Sequence, residues 1–134
     1  IAAKDVKKVI SVEIVPEAVK DAKENAKYNH IDNFYAYADD ASSFIYKMVR
    51  NHDHIDVLFM DPPRKGSDEK FLKAVLTIKP SRIVYISCDP SSLARDALYL
   101  SKEYEIQKIQ PVDMFPQTFH VETVVLLSRK NGEK

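Results

Sequence analysis

Arg82-Ile83-Val84-Tyr85-Ile86-Ser87-Cys88-Asp89-Pro90 is the stretch on which the reading of this chain turns. Ile83 to Ile86 form an apolar run rich in β-branched residues, which predicts a buried strand. Pro90 is tolerated in the first turn of a helix. A strand, a short Ser87-Cys88-Asp89 corner and a helix therefore follow one another. In open α/β sheets, ligands bind at the carboxyl ends of the strands, and the single cysteine of the chain lies at such an end. A thiol beside a helix amino terminus has its thiolate favoured by the positive end of the helix dipole. A lone cysteine is as often a small buried hydrophobe, and position alone does not choose between the two.

The flanking sequence repeats the same grammar. Val9 to Glu13 reads as a short strand ending in an acid. Pro16 opens an amphipathic helix to about Asn29, with Ala18, Val19, Ala22 and Ala26 at helical spacing. A carboxylate in the position of Glu13 can accept hydrogen bonds from both hydroxyls of a ribose, or it can simply be a solvated strand end. Asn33 to Ala38 is a second strand. Asp40 or Ser42 is suited to cap the next helix, which runs to about Asn51, and an acid there could also face an adenine amino group. His54 to Met60 is a third strand, apolar enough to predict burial on both faces of a parallel sheet. It ends in Asp61-Pro62-Pro63-Arg64-Lys65-Gly66, where two prolines stop the strand and stiffen a loop carrying one acid and two bases. Ser67 or Asp68 caps a helix to about Ile78. After the Cys88 strand and a helix from Pro90 to about Ser101, Tyr104 to Val112 and Thr123 to Ser128 read as strands. An irregular loop from Asp113 to Glu122 joins them. Strand–helix repeats followed by two strands predict one α/β domain.

Bulk properties narrow the class. The 134 residues suffice for one domain with its own core. Acidic and basic residues balance at 20 each, so net charge makes no case for a polyanion partner, although a local basic patch can still recruit one. One cysteine forms no internal disulfide, which suits a reducing compartment and an intracellular, cytoplasmic protein. No apolar run approaches the roughly 20 residues that span a bilayer. Gly66 and Gly132 are the only glycines, against a typical usage of about 7%. Neither can build the glycine-rich turn that follows the first strand of nucleotide-binding sheets. The opening Ile1 to Lys8 reads as the tail of a helix, and the chain is expected to be a fragment.

The expected strand ends bring Asp61, Cys88 and the His120 to Glu122 loop to one sheet edge. A cysteine beside a base suits acyl transfer, with His120 as base. It equally suits addition to carbon 6 of a uracil, which makes carbon 5 nucleophilic toward a methyl donor until a carboxylate removes its proton. Here the sequence resembles the S-adenosylmethionine-dependent RNA uracil-5-methyltransferases, which act on ribosomal and transfer RNA. Four blocks carry the resemblance in family order: Val12 to Ala18, Asp61 to Gly66, Ser87 to Asp96 and Asp113 to Glu122. It implies a Rossmann-like class I methyltransferase sheet, mostly parallel with an antiparallel last strand. It implies Cys88 as nucleophile and Glu122 as base for the carbon 5 proton. Asp61 would contact cofactor or uracil, Glu13 the cofactor ribose, and Asp40 the region of the adenine. Arg64, Lys65, Arg95 and His120 are the expected RNA contacts, and 23S ribosomal RNA is the expected substrate.

The chain departs from the family pattern in lacking the first strand with its glycine-rich loop, and the preceding region that can hold an iron–sulfur cluster. One cysteine cannot ligate such a cluster, so it would belong to that preceding region. Without the first strand, the strands at Val9 and Ile55 are expected either to close up or to leave pairing edges open to a homodimer or strand exchange. Two other functions fit parts of the pattern. A methyltransferase acting on an exocyclic amine would leave Cys88 and Glu122 idle, and a silent module would only bind RNA. The isolated chain is expected to bind S-adenosylmethionine weakly or not at all; tight binding in a calorimetric titration would overturn that expectation.

Overall fold

The computed structural model describes residues 2–130. They divide into two compact units, the first up to Lys47 and the second from Met48, and each is described by itself.

The first unit is a strand–helix–strand motif. β1 (Val9–Glu13) and β2 (Phe34–Ala38) pair in parallel from Val9 opposite Phe34 to Glu13 opposite Ala38. α1 (Pro16–Tyr28) connects them, with Pro16 in its first turn and no side-chain cap. Its apolar stripe buries Val19, and β2 buries Ala36. Asn33 closes the motif: its side-chain amide donates to the carbonyls of Ala3 and Val6 at 2.7 and 2.8 Å, and its own carbonyl accepts from the Val9 amide. α2 (Ala41–Arg50) follows β2.

The second unit holds β3 (Val57–Met60), α3 (Glu69–Ile78), β4 (Arg82–Ser87), α4 (Pro90–Leu100), β5 (Tyr104–Val112) and β6 (Glu122–Arg129). Its sheet runs in the order β3-β4-β6-β5. β3 and β4 are parallel, with α3 crossing between them, whereas β6 lies antiparallel to both β4 and β5. The core is built from alternate residues of β4 and β6 and from one stripe on each helix: Ile83, Tyr85, Val125, Leu127, Val75 and Leu100. Caps set the helix starts. Asp68 accepts from the Phe71 amide at 2.7 Å, and Asp89 accepts from the Ser92 amide at 2.7 Å.

One expectation needs correction. β3 starts at Val57, not His54, and it is not buried on both faces: Phe59 is 62% exposed and Val57 43%. β3 is an edge strand, and these two residues share the face that nothing in its own sheet covers. Of the two outcomes expected without the first strand, open pairing edges are the one observed among the described residues. β1 pairs with β2 alone and β3 with β4 alone, so each keeps one open edge among the described residues.

Tyr104 is buried at the start of β5, and its hydroxyl donates to the Pro80 carbonyl at 2.7 Å. Burial pushes its pKa up to about 12 from 10.0. Burial first, and then the neighbouring Asp96, push the Tyr85 hydroxyl up still further. A phenol whose pKa is raised by folding contributes stability that is complete below pH 10 and is lost as pH rises toward the folded value. The chain is therefore expected to lose stability steeply above pH 10. Tyr104→Phe should flatten that alkaline limb in denaturant titrations at pH 8 to 11.5, and an unchanged limb would contradict the assignment.

Candidate active site

The Ser87-Cys88-Asp89 corner is fixed by its neighbours. The buried Ser87 hydroxyl donates to the Asp89 carbonyl at 2.9 Å and accepts from the Asp89 amide at 3.1 Å, bracketing Cys88 from within the turn. Ser92 adds a hydroxyl bond to the same carbonyl, at 3.1 Å. Asp89 is the N-cap of α4, as its position before Pro90 requires. The Ser92 amide bond, foremost, holds the Asp89 carboxyl below its ordinary range, and the Arg64 charge adds to the effect. Cys88 itself is half-buried at the carboxyl end of β4.

Strand register assembles the rest of the edge. The β4–β6 ladder ends with Ser87 opposite Thr123, and Cys88 and Glu122 are the next positions along each chain beyond that last pair. On the other flank Met60 pairs in parallel with Tyr85, which brings Asp61 to the end of the neighbouring strand. Glu122 also opposes Val112 of β5. A cysteine and two acidic residues thus come to one edge from three separate segments of sequence.

The Asp61–Gly66 loop is ordered from behind. The Gly66 amide donates to the Pro63 carbonyl at 2.8 Å, closing a turn whose central residues, Arg64 and Lys65, are exposed. Arg95 was expected among the RNA contacts. Its guanidinium is engaged in the fold, donating to Asp96 through two nitrogens at 2.9 and 2.7 Å, to the Lys65 carbonyl at 2.8 Å and to the Ser67 carbonyl at 3.4 Å, while the side chain stays 58% exposed. The sequence reading assigned no role of their own to Asp96, Tyr85, Gly66 and Ser87. The available signal was a glycine-poor chain that keeps one of its two glycines just after a double proline.

In the first unit, Glu13 is exposed at the end of β1. One of its carboxylate oxygens accepts from the Val15 amide at 2.9 Å, which orients the group while its second oxygen remains available to an external donor such as a ribose hydroxyl. That arrangement fits the nucleoside part of the implied cofactor. Asp40 caps α2, accepting from the Ser43 amide at 2.8 Å, whereas Asp39 pairs with Lys47 at 2.6 Å. His120 donates its amide to Thr118 Oγ1 at 3.2 Å, and its ring lies 4.4 Å from that of the exposed Phe119.

Residues 1–130 match the family described as tRNA (Uracil-5-)-methyltransferase. The chain belongs to that family. Among its relatives, an RNA methyltransferase of Listeria innocua is 47% identical over 93% of this chain, and one of Staphylococcus epidermidis is 49% identical over 95%. The chain spans only 27% and 28% of the length of those two curated relatives. The Pyrococcus abyssi tRNA (uracil-54, C5)-methyltransferase, solved with S-adenosyl-L-homocysteine, superimposes with a TM-score of 0.76 at 31% identity, over 93% of this chain and 30% of that one. An rRNA methylase of Streptococcus thermophilus shares the Rossmann-like methyltransferase fold, with a TM-score of 0.72 at 13% identity, over 97% of this chain and 78% of that one.

Because folding lowers the Asp89 pKa, its cap contributes above the ordinary carboxylate pKa and is lost as pH falls through the folded value. Asp89→Ala should lower the melting temperature by a few degrees at pH 7 and by less at pH 3, while Asp89→Asn, which keeps a neutral cap, should lose an intermediate amount at pH 7 and almost nothing at pH 3. Equal losses for the alanine variant at the two pH values would rule out the charged cap.

Proposed function

We propose that the protein in its intact form methylates carbon 5 of a uridine in RNA through a covalent cysteine adduct. The supporting observation is that the β4–β6 ladder ends one residue short of Cys88 and Glu122, with Asp61 just after the adjoining strand. S-adenosylmethionine, when bound, supplies an electrophilic methyl group. Glu13 would hold its ribose, with Asp40 near the adenine and Asp61 on the cofactor or uracil side.

Cys88 attacks carbon 6 as the thiolate. A sulfur–carbon bond forms, and the ring π pair moves to carbon 5 and its conjugated carbonyl oxygen. With the cofactor bound, the carbon 5 electron pair would accept its methyl group as the methyl–sulfur bond breaks and S-adenosylhomocysteine departs. Glu122 removes the proton that carbon 5 still carries, the electron pair of that C–H bond re-forms the ring double bond, and the sulfur–carbon bond breaks to return the thiolate. The Ser87 bracket holds the nucleophile still through both steps, which favours in-line approach. Arg64, Lys65 and His120 are the RNA contacts in this reading, with the target base flipped out because carbon 6 of a stacked base is inaccessible. 23S ribosomal RNA is the first substrate to test. Transfer RNA is the parallel arm, as the named substrate of the Pyrococcus abyssi neighbour.

The intact protein, incubated with S-adenosylmethionine and RNA containing 5-fluorouridine, should form an adduct stable on a denaturing gel, because fluorine cannot leave as a cation. Mass spectrometry should map it to Cys88, and Cys88→Ala should abolish it. Glu122→Gln should lower turnover on ordinary RNA by at least 100-fold, within the usual contribution of a general base, while still allowing an adduct. Methyl transfer that survives Cys88→Ala would favour exocyclic-amine methylation. RNA binding without any transfer would favour a silent binder.

A further inference from the structure

Asp96 is the one acidic side chain among the fully buried residues of the core, and the chemistry above does not use it. One of its oxygens accepts from the Tyr85 hydroxyl and the Ser67 amide, both at 2.7 Å. The other accepts from Arg95 Nε and a terminal guanidinium nitrogen, at 2.9 and 2.7 Å. Arg95 then reaches past Asp96 to the backbone carbonyls of Lys65 and Ser67. The carboxylate and the guanidinium together grip the loop on both sides of Gly66. Gly66 makes this close approach possible. Its φ is +79°, and a Cβ there would stand 2.4 Å from the Arg95 terminal nitrogen and 2.7 Å from an Asp96 oxygen.

We infer that Arg95, Asp96 and Gly66 form a clamp that fixes the Asp61–Gly66 loop on α4, making Arg95 and Asp96 positioning residues and leaving Arg64 and Lys65 as the bases presented to the RNA backbone. The two ends of the clamp explain why it bears on the site. α4 begins at the Asp89 cap, one residue after Cys88, and the clamped loop begins at Asp61. Arg64 lies near enough to Asp89 for its charge to help depress that carboxyl. A clamp joining loop to helix therefore sets Arg64 against the nucleophile's corner. Arg95 has its charge balanced by Asp96 and its Nε and one terminal nitrogen committed to the fold, so although its side chain is 58% exposed it offers less to phosphate than the two exposed bases on a stiff double-proline turn.

The inference rests on the proposed RNA methyl transfer for its kinetic arm only. The variants are Arg95→Lys, which keeps the charge but loses the guanidinium fork, and Gly66→Ala, which forces the loop off the helix. In the intact protein, hydrogen–deuterium exchange of the Gly66 and Ser67 amides should quicken at least tenfold in both variants, while the β4–β6 ladder amides stay as in the parent. Unchanged loop exchange, or exchange raised across the whole sheet, would overturn the clamp whether or not the protein methylates RNA. On RNA substrate, kcat/KM should fall at least tenfold, mainly through KM for RNA, with the dissociation constant for S-adenosylmethionine within about twofold of the parent. Equal losses of cofactor and RNA binding, or unaltered kinetics with a mobile loop, would overturn the positioning role. If the parent transfers no methyl group to any RNA, the proposed function fails while the exchange result still decides the clamp.

Discussion

A carboxylate withdrawn from water is costly unless donors surround it, and Asp96 has four of them. That requirement ties together pieces that are otherwise only neighbours in sequence. Tyr85 comes from the middle of β4, Arg95 and Asp96 from α4, and Ser67 from the end of the loop after β3. None of these donors can move without leaving a buried charge short of a partner, so the loop, strand and helix around Cys88 behave as one assembly. A buried ion pair of this kind is weak evidence of stability but good evidence of a specified conformation.

The rest of the edge follows from simple rules acting on that assembly. A strand followed by a capped helix leaves one short corner, and Ser87 satisfies both polar groups of Asp89 there, so Cys88 has a single backbone setting. Antiparallel pairing then brings in a residue from 34 positions downstream, because the ladder that puts Ser87 opposite Thr123 puts Glu122 next in line. A one-residue slip would turn Val125 and Leu127 from the core to the other face. The hydrophobic pattern of β6 therefore guards the placement of Cys88 and Glu122 beyond the last pair as well as the core.

β1 and β3 each keep an open edge among the described residues, and Phe59 of β3 is exposed. Edge strands with apolar faces are ready templates for further pairing. The candidate nucleophile and base, Cys88 and Glu122, lie within the second unit, while Glu13 and Asp40, the candidate nucleoside contacts, lie in the first.

Sequence alone determined the element order, because helix and strand periods, prolines and caps are local properties. β5 matches its expected bounds, α4 ends one residue early, and Asp89 caps where Pro90 required a helix to start. The candidate nucleophile and acids were legible for the same reason, since strand ends can be read from hydrophobic runs. Only the tertiary structure decided that β3 is an open edge, that the strands form two ladders, and that Arg95 pairs with Asp96. Pairing partners, burial of a charge and the fate of a long flexible cation depend on what residues far along the chain bring to the same place, and no local pattern carries that information.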